Sequence, residues 1–294
     1  MAVKNYAVSN RAKLLIITKQ NEGLTYMQVL TRFIQERFLY RLSVSQYKDN
    51  FFLKGGALLY AHDRFKARPT LDMDFMGERI SRDKDNIKRA FQAICRIECP
   101  EDGVYFDSGD EQIELEDITL ERAYNGIRVH LTAHMDTIKH NVSMDIGFGD
   151  IIIPEPVELD YPLLIEGLPA VSIGAYSLET VVAEKFQTMI DRAESNSRMK
   201  DFFDVYSILS KESVDKVFLE EAIREVFVNR GTIYTPAHPL FSPGFESDPA
   251  RLTMWTGFLG KIHYKDELPF EQVISIIRKE LGPMWESMKK PADD

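Results

Sequence analysis

Residues 51–75, FFLKGGALLYAHDRFKARPTLDMDF, contain the pattern that decides the fold of this chain. A short apolar run ends in Lys-Gly-Gly, a short helix is expected next, and a second apolar run is interrupted by Asp72 and Asp74. Because successive side chains of a strand point to opposite faces, this second run predicts both aspartates on one face. The side chains predicted to point from the other face into a core are Leu71, Met73 and Phe75.

Two carboxylates side by side on a strand repel each other unless a cation compensates for them. Hard oxygen ligands suit Mg²⁺, so Asp72 and Asp74 are predicted metal ligands. Upstream, Gly55 and Gly56 allow the backbone to approach a ligand closely, and the N–H groups that open the next helix suit a phosphate. A D-x-D strand alone can arise by chance, and a Gly-Gly pair alone can be a tight turn. Together and in this order, they predict chemistry on a nucleoside triphosphate.

The composition is that of an ordinary globular protein of 294 residues, with a net charge of −10 that argues against a general nucleic-acid coat protein. The N-terminal residues lack the long apolar region of a signal peptide, and no run reaches the length of a membrane span. These features predict a cytoplasmic protein without a membrane segment. Cys95 and Cys99 are too few for a disulfide framework and are predicted to be reduced packing residues.

The charge is distributed unevenly along the chain. Residues 1–70 contain 12 Lys/Arg and 4 Asp/Glu, a local balance of +8, so the remainder carries −18. The basic part leads into the Gly-Gly segment, where an anionic substrate would need positive charge, although most of these residues could simply be the solvated faces of two helices. Residues 101–121 contain nine acids and no Lys or Arg, which predicts a solvated loop or hairpin that could face a basic partner.

The periodicity predicts a mixed α/β unit followed by a helical unit. Residues 1–103 alternate helices with short strands, residues 104–160 form consecutive β-branched and aromatic runs, and the pattern is helical from Ser177 onward. Strands between helices, followed by helices alone, predict a boundary near residues 167–174.

Four further residues are candidates for a chemical role. A D-x-D metal site is expected to need another carboxylate, and the candidate is Asp145, a lone acid within the apolar run NVSMDI. The same position would also suit a salt bridge. In the helical part, Lys185 interrupts an apolar face, and Asp201 and Asp204 lie three residues apart on one side of the next helix. Spacing alone favours an interhelical salt bridge between Lys185 and one of these acids.

Residues 54–74 resemble the first motif of the DNA-polymerase-β-like nucleotidyltransferase superfamily. More narrowly, the chain resembles the AbiEii family, the toxins of bacterial abortive-infection toxin–antitoxin systems. That family adds a lone acid on a later strand, an Ala-Glu-Lys on a helix and an Arg-x-Lys-Asp-x-x-Asp. These motifs are matched here by Asp145, residues 183–185 and residues 198–204. All four motifs occur in the family's order, whereas the residues after 204 contain no usable motif.

The resemblance implies an α+β fold, with a polymerase-β-like nucleotidyltransferase domain (a mixed sheet with flanking helices) over residues 1–168 and a helical domain over residues 169–294. It implies Mg²⁺-dependent transfer of a nucleoside monophosphate from an NTP to an acceptor hydroxyl, which for relatives is the 3′ end of tRNA. A two-metal site is expected. The resemblance also implies a phage-defence toxin that blocks growth and is neutralised by a cognate antitoxin.

The resemblance assigns roles to individual residues. The predicted metal ligands are Asp72, Asp74 and Asp145. The predicted catalytic residues are Asp72, Asp74, Asp145, Lys185 and Asp204. The predicted nucleotide contacts are Lys54, Gly55, Gly56, Arg68, Thr70, Lys185 and Asp201.

One departure and three alternatives accompany these assignments. Where the superfamily often has Gly-Ser, this chain has Gly55-Gly56, so a phosphate-binding hydroxyl is missing and backbone N–H groups must serve instead. A nucleotidyltransferase that modifies an antibiotic or a protein would share the same site. A degenerate nucleotide-binding protein would act by contact alone. A sugar transferase could use D-x-D with Mn²⁺, but the Lys-Gly-Gly before the D-x-D argues against it.

Overall fold

The computed structural model describes residues 5–121, 124–211 and 214–289. The chain divides into two compact units. The described residues of the first unit lie within Met1–Gly149 and Pro156–Tyr176, and those of the second lie within Asp150–Glu155 and Ser177–Asp294. None of the helices in the described ranges is both long and apolar enough to cross a membrane.

The first unit is a mixed sheet with helices. Its helices in the described part of the chain are α1 (Tyr6–Gln20), α2 (Tyr26–Ser43), α3 (Gly55–Asp63) and α4 (Lys84–Cys95). Its strands there are β1 (Phe51–Lys54), β2 (Met73–Gly77), β3 (Val104–Phe106), β4 (Glu114–Glu121), β5 (Tyr124–Met135), β6 (Ile138–Phe148), β7 (Val157–Tyr161) and β8 (Val171–Ala175). The acidic segment 101–121 thus supplies β3, β4 and the loop that connects them.

The strand order is β3-β5-β6-β2-β1-β8-β7, and β4 also pairs with β5. Two neighbouring pairs are parallel, β2 with β6 and β1 with β8, and the other pairs are antiparallel. Two strands that are distant in sequence, β2 and β6, therefore lie side by side at the centre of the sheet. This pairing brings the D-x-D segment beside the lone acid of NVSMDI.

Aromatic packing between α2, α4 and the sheet forms the core of the first unit. Phe38 of α2 contacts the rings of Phe75, Phe91 and Phe106 at centroid distances of 6.4, 5.8 and 5.7 Å. Phe51 of β1 lies 6.4 Å from Phe75 and 5.5 Å from Phe91. Burying large aromatic side chains from both layers fixes the sheet against these helices and so positions the ends of β1 and β2.

Helix α2 begins with a capping box, in which Thr25 and Gln28 satisfy each other's backbone N–H groups. The helix is buried far beyond one apolar stripe, because Arg32, Arg37 and Arg41 are also inside. The sequence interpretation placed such basic residues either on solvated helix faces or beside an anionic substrate. Because these three arginines are buried, neither interpretation applies to them.

Buried carboxylates compensate the charges of two of these arginines. Arg41 donates to Asp102 at 2.8 Å, and Arg37 lies 2.7 Å from Glu36. Burial raises the pKa of Glu36 to about 7, although the charge of Arg37 and the backbone N–H of Leu164 oppose the shift. The buried charges of α2 therefore belong to the structure of the core.

The second unit is helical, as the periodicity after Ser177 predicted. Its helices in the described ranges are α5 (Leu178–Arg192), α6 (Met199–Lys211), α7 (Lys216–Asn229), α8 (Pro249–Lys261) and α9 (Phe270–Ser287). Ser177 caps α5 by accepting from the backbone N–H of Thr180. Phe203, Trp255 and Phe270 contribute to its aromatic core.

The sequence boundary at residues 168/169 falls before β8, whereas the two compact units divide at Tyr176 and Ser177. The reason is hydrogen bonding, since β8 pairs with both β1 and β7 and so belongs to the sheet. The short segment 150–155 is grouped with the helical unit instead, through hydrogen bonds such as Ile153 N to Thr180 Oγ1 at 2.9 Å.

Candidate active site

The turn between β1 and α3 requires both of its glycines. Gly55 has a φ of +67°, which L side chains rarely adopt, and a Cβ there would lie 2.0 Å from Oδ2 of Asp74. A Cβ on Gly56 would lie 2.8 Å from the Cβ of Thr70. The missing side chains let the first turn of α3 approach Asp74 and Thr70. The orphan N–H groups of a helix start therefore lie next to the D-x-D segment.

The D-x-D segment is placed as the alternation predicts, with one correction. Asp74 lies within β2 and is half-buried, and Asp72 is exposed immediately before the strand. Met73 and Phe75 are fully buried, as predicted. Leu71 is not in the core, because 72% of it is exposed. The strand begins only at Met73, so its two-residue alternation does not extend back to Leu71.

Strand register aligns five charged residues across five neighbouring strands, which we call the charged row. Lys54 of β1 pairs with Asp74 of β2, and Asp74 pairs with Asp145 of β6. Asp145 in turn pairs with Arg128 of β5, and Arg128 with Glu116 of β4. Directly paired residues share one face of a sheet, so the predicted Lys54, Asp74 and Asp145 are brought together.

Arg128 is the member of the charged row that the sequence interpretation missed. Its Nε and Nη2 atoms donate to the two carboxylate oxygens of Asp145 at 2.6 and 2.8 Å, a bidentate pair. Its Nη1 atom lies 3.6 Å from Glu116. The hydrogen bonds that Arg128 donates to Asp145, followed by the charges of Asp145, Asp72 and Glu116, raise the pKa of Arg128 despite partial burial. The sequence does show one arginine in the β5 run and one aspartate in the β6 run. Only the strand register, however, shows that these two residues lie opposite each other.

The charged row, together with Asp72 just before β2, fits a divalent cation in part. Asp72 and Asp74 provide hard carboxylate oxygens, and Gly55 leaves open the space at Asp74 that a Cβ would fill. The part of the chain that the structure describes contains no group of three or more His, Cys, Asp or Glu side chains arranged to hold a metal. A physical reason is that both oxygens of Asp145 accept from Arg128. Asp72 and Asp74 thus have suitable donor chemistry, whereas Asp145 is engaged by a guanidinium.

A second polar chain lies on the same face, two residues along each strand. The Nδ1 atom of His130 lies 3.0 Å from Ser143 Oγ, and its Nε2 atom lies 3.3 Å from Glu116. His130 and Ser143 are paired in the β5–β6 register. The face that carries Arg128 and Asp145 is therefore polar beyond the charged row itself.

The remaining predicted nucleotide contacts of the first unit have local partners. Lys54 Nζ lies 3.4 Å from the Tyr176 hydroxyl and 5.0 Å from the centre of its ring. Arg68 is half-buried in the segment between α3 and β2, and its carbonyl accepts from buried Arg32 at 3.3 Å. Thr70 donates to the carbonyl of Asp72 at 3.3 Å. The basic and polar residues before the D-x-D are thus fixed by local contacts.

In the second unit, four of the motif residues form what we call the helical cluster, namely Lys185, Arg198, Asp201 and Asp204. Lys185 Nζ lies 2.7 Å from Asp201 and 2.9 Å from Asp204, and Arg198 Nε lies 2.6 Å from Asp201. Only 1% of each aspartate side chain is exposed. Burial opposes the ionisation of Asp201, but the charges and hydrogen bonds of Lys185 and Arg198 outweigh it and hold its pKa below its ordinary value.

The interhelical salt bridge favoured by spacing is therefore present. The nucleotide and catalytic roles that the resemblance gave to Lys185, Asp201 and Asp204 stay predictions. A residue that the sequence interpretation did not select, Arg230 of the α7 C-cap, lies 2.9 Å from Asp150 and 3.5 Å from Glu184 of the Ala-Glu-Lys motif. Charges outside the recognised motifs thus contribute to the helical unit.

Two solved structures from Helicobacter pylori have the same fold. One, assigned to the nucleotidyltransferases, superposes with a TM-score of 0.52 and 13% identity, covering 92% of this chain and 100% of that chain. The other, JHP933, gives a TM-score of 0.51 and 12% identity, covering 91% of this chain and 96% of that chain. At these identities the likeness concerns the fold alone, and it confirms the predicted mixed-sheet domain with an additional helical part.

A search of curated protein sequences found no match to this chain. The family described as "Nucleotidyl transferase AbiEii toxin, Type IV TA system" matches residues 37–276, well over half of the chain. The match includes the glycine turn, the charged row and the helical cluster, so it confirms the family recognised from the four motifs. The chain therefore belongs to the AbiEii family of toxins from type IV toxin–antitoxin systems, and it is a nucleotidyltransferase.

Proposed function

We propose that this enzyme transfers a nucleoside monophosphate from an NTP to the 3′-terminal hydroxyl of a tRNA, with Mg²⁺ as its metal. One observation carries the proposal, namely the register that places Asp74 beside Asp145 with Lys54 on the next strand. The start of α3 approaches the same Asp74 because Gly55 has no side chain. Carboxylates for a cation and donors for phosphates thus occur at one end of the sheet.

Each residue has a separate task in this proposal. Asp72 and Asp74 would hold the cation, with Asp145 joining them if it is released from Arg128. When bound, the cation offsets the charge of the phosphates and lowers the pKa of the attacking hydroxyl. The first N–H groups of α3 would bind phosphate oxygens in place of the missing serine hydroxyl.

Two basic residues of the first motif, Lys54 and Arg68, would compensate the charge of the triphosphate. In the reaction, the acceptor oxygen forms a bond to the α-phosphorus, and the bond from that phosphorus to the bridging oxygen breaks. Pyrophosphate leaves with the electron pair of that bond. The acceptor proton passes to Asp145 or to solvent. Positioning and electrostatic compensation would supply most of the rate enhancement.

The tRNA acceptor is proposed from the family resemblance. Binding of tRNA must also be compatible with the charge distribution of this chain. The net charge is −10, so a polyanion would have to contact locally basic surface. Arg32, Arg37 and Arg41 cannot contribute, because they are buried. Within residues 5–70, which the structure describes, the exposed basic residues are Lys13, Lys19, Lys48, Arg64 and Lys66.

Incubation of the protein with each labelled NTP and total RNA tests the reaction and its acceptor together. Labelled tRNA is the expected product, and tRNA whose 3′-terminal diol has been oxidised with periodate should accept no label. Asp74→Ala is the negative control. Labelled protein or a labelled small molecule would overturn the tRNA assignment and favour the alternative acceptors. The absence of any labelled product with all four NTPs would favour a degenerate nucleotide-binding protein.

We further propose that the transfer blocks growth in the cytoplasm as part of phage defence, and that a cognate antitoxin relieves it. Inducible expression of the wild-type chain should arrest growth, whereas expression of Asp74→Ala to the same level should not. Equal arrest by both proteins would show that toxicity does not depend on transfer. Relief of the arrest by co-expression of the neighbouring antitoxin gene would support the antitoxin assignment.

A further inference from the structure

Asp74 and Asp145 are like charges at directly paired positions of β2 and β6. Neighbouring strands lie about 4.8 Å apart, so two such carboxylates destabilise the sheet unless positive charge compensates them. On the far side of Asp145, Arg128 provides that charge through two hydrogen bonds of 2.6 and 2.8 Å. The guanidinium therefore binds the carboxylate oxygens that a third metal ligand would need.

Arg128 has room to leave Asp145. Its side chain is 34% exposed, whereas that of Asp145 is only 12% exposed. Glu116, the next member of the charged row, lies 3.6 Å from Nη1 of Arg128 and is 53% exposed. A guanidinium binds any suitably placed carboxylate, so Glu116 offers an alternative partner on the solvent side.

We propose that Arg128 is the counter-ion that Asp145 gives up when a divalent cation binds, and that Glu116 then receives it. The proposal rests on the proposed function, which supplies the cation. In the cation-free chain, Arg128 offsets the repulsion between Asp74 and Asp145. In the loaded chain, the cation takes over this task, and the charged row then alternates in sign from Glu116 to Lys54.

Direct Mn²⁺ binding to the full chain, measured without nucleotide by electron paramagnetic resonance of the free ion, tests the exchange. Arg128→Gln should bind Mn²⁺ about tenfold or more tightly than wild type, because the competing charge is gone. Arg128→Lys should fall between the two, since lysine keeps the charge but loses the bidentate fork. Arg11→Gln, which removes the Arg11–Asp136 pair at the far end of the β5–β6 hairpin, should bind like wild type.

Substitution of Glu116 should change Mn²⁺ affinity in the direction opposite to that of Arg128→Gln. Glu116→Gln should bind Mn²⁺ more weakly than wild type, because the displaced guanidinium loses its second partner. Glu114→Gln removes the same charge from the same strand, where it pairs with His130, and should weaken binding less. Equal weakening by both variants would mean that only the general negative potential matters, and would overturn the role given to Glu116.

Thermal unfolding provides a readout that does not depend on activity. In EDTA, Arg128→Gln should melt below wild type because buried Asp145 loses its bidentate partner. Saturating Mn²⁺ should raise its melting temperature by more than that of wild type, because a tighter ligand stabilises more.

The outcome also separates this proposal from the proposed function. If Arg128→Gln binds Mn²⁺ no more tightly than wild type while Asp74→Asn abolishes binding, the counter-ion exchange is wrong and the metal site stands. If Asp74→Asn binds Mn²⁺ as wild type does, the metal site of the proposed function fails and the exchange fails with it.

Discussion

The charged row of the sheet and the helical cluster contain similar residues in different environments. At the charged row, Asp74 is half-buried and directly paired with Asp145, and the nearby Asp72 is exposed. In the helical cluster, Asp201 and Asp204 are both buried and share Lys185 as a partner at 2.7 and 2.9 Å. The acids of the charged row lie beside one another, whereas those of the helical cluster are separated by a cation.

This difference indicates how the two groups contribute. Buried charges that are paired within the protein stabilise its structure mainly because removal of one partner leaves the other uncompensated. Two acids that lie side by side, as Asp74 and Asp145 do, weaken the sheet unless positive charge compensates them, which is typical of sites built for a ligand. We therefore expect variants of the charged row to lose activity first and variants of the helical cluster to lose stability first.

The largest expected effect is on transfer in Asp74→Ala. Removal of this carboxylate should reduce nucleotide incorporation by roughly a thousandfold or more, the scale of losing a principal electrostatic contact in a catalytic site. The free energy of unfolding should change little, because a repulsive neighbour of Asp145 is removed. Asp85→Asn, an exposed acid of α4, is the matched control and should stay active. Substantial transfer by Asp74→Ala would contradict the metal assignment.

Lys185→Met should have the largest effect on stability. It removes the cation that buried Asp201 and Asp204 share, at a cost of about 3–5 kcal/mol in the free energy of unfolding. Urea denaturation followed by circular dichroism measures this. Lys216→Met, which removes an exposed pair with Glu280, should cost less than about 1 kcal/mol. Equal stability of the two variants would show that the helical cluster is not a structural element.

Comparing the stabilities of Gly55→Ala and Gly167→Ala separates the cost of backbone strain from the cost of a steric clash with Asp74. Both glycines have positive φ angles, +67° and +83°, so alanine strains both by about 1 kcal/mol. Only at Gly55 does the new Cβ meet Asp74, whereas nothing lies within 4 Å at Gly167. Gly55→Ala should therefore be less stable by a further 1–3 kcal/mol or so, as in other overpacked sites, and should lose transfer. Similar unfolding free energies and retained transfer in both variants would contradict this.

The smallest effect is a pH dependence that compares buried acids in the two units. Burial raises the pKa of Glu36 from 4.5 to about 7, so its folded form holds a proton that the unfolded chain releases. Stability should fall by about 1 kcal/mol per pH unit as pH rises from about 4.5 to 7. Asp201 has a lowered pKa, so its contribution is present above its ordinary pKa of 3.8 and is lost as pH falls below that value.

Unfolding free energies measured between pH 3 and pH 8 test both signs. Glu36→Gln should remove the slope between about pH 4.5 and 7, and Asp201→Asn should reduce the loss at acid pH. The two pKa values shift in opposite directions because the acids differ in their cationic partners. Asp201 is paired with both Lys185 and Arg198, whereas Glu36 is paired with Arg37. A slope in Glu36→Gln equal to that of wild type would assign the titration to another group.

Local sequence patterns predicted the elements of the site but not their alignment. The Gly-Gly turn and the D-x-D strand were visible because each depends on a few consecutive residues. The pairing of Asp74 with Asp145 depends on a parallel register between strands some 70 residues apart, which no local period encodes. Arg128 was missed for the same reason, because its role follows from its partner on the neighbouring strand.

The buried arginines of α2 mark a second limit. Arginine is usually exposed, so Arg32, Arg37 and Arg41 were counted with the basic surface of the N-terminal part. Their burial depends on partners distant in sequence, such as Asp102 for Arg41 and the Pro169 carbonyl for Arg37. Charge totals along the sequence therefore overestimate the positive surface that a nucleic acid could reach.

The parallel pairing of β2 with β6 limits where the sequence of this enzyme can gain or lose residues. Since Asp74 and Asp145 meet only through main-chain hydrogen bonding, a one-residue shift of either strand would send one carboxylate to the opposite side of the sheet. Deleting the residue just before Asp74 (Met73) or just before Asp145 (Met144) would thus disable the enzyme while leaving every acid in place. Insertions at the 136–137 hairpin tip lie outside this constraint and are the natural place for length changes among relatives.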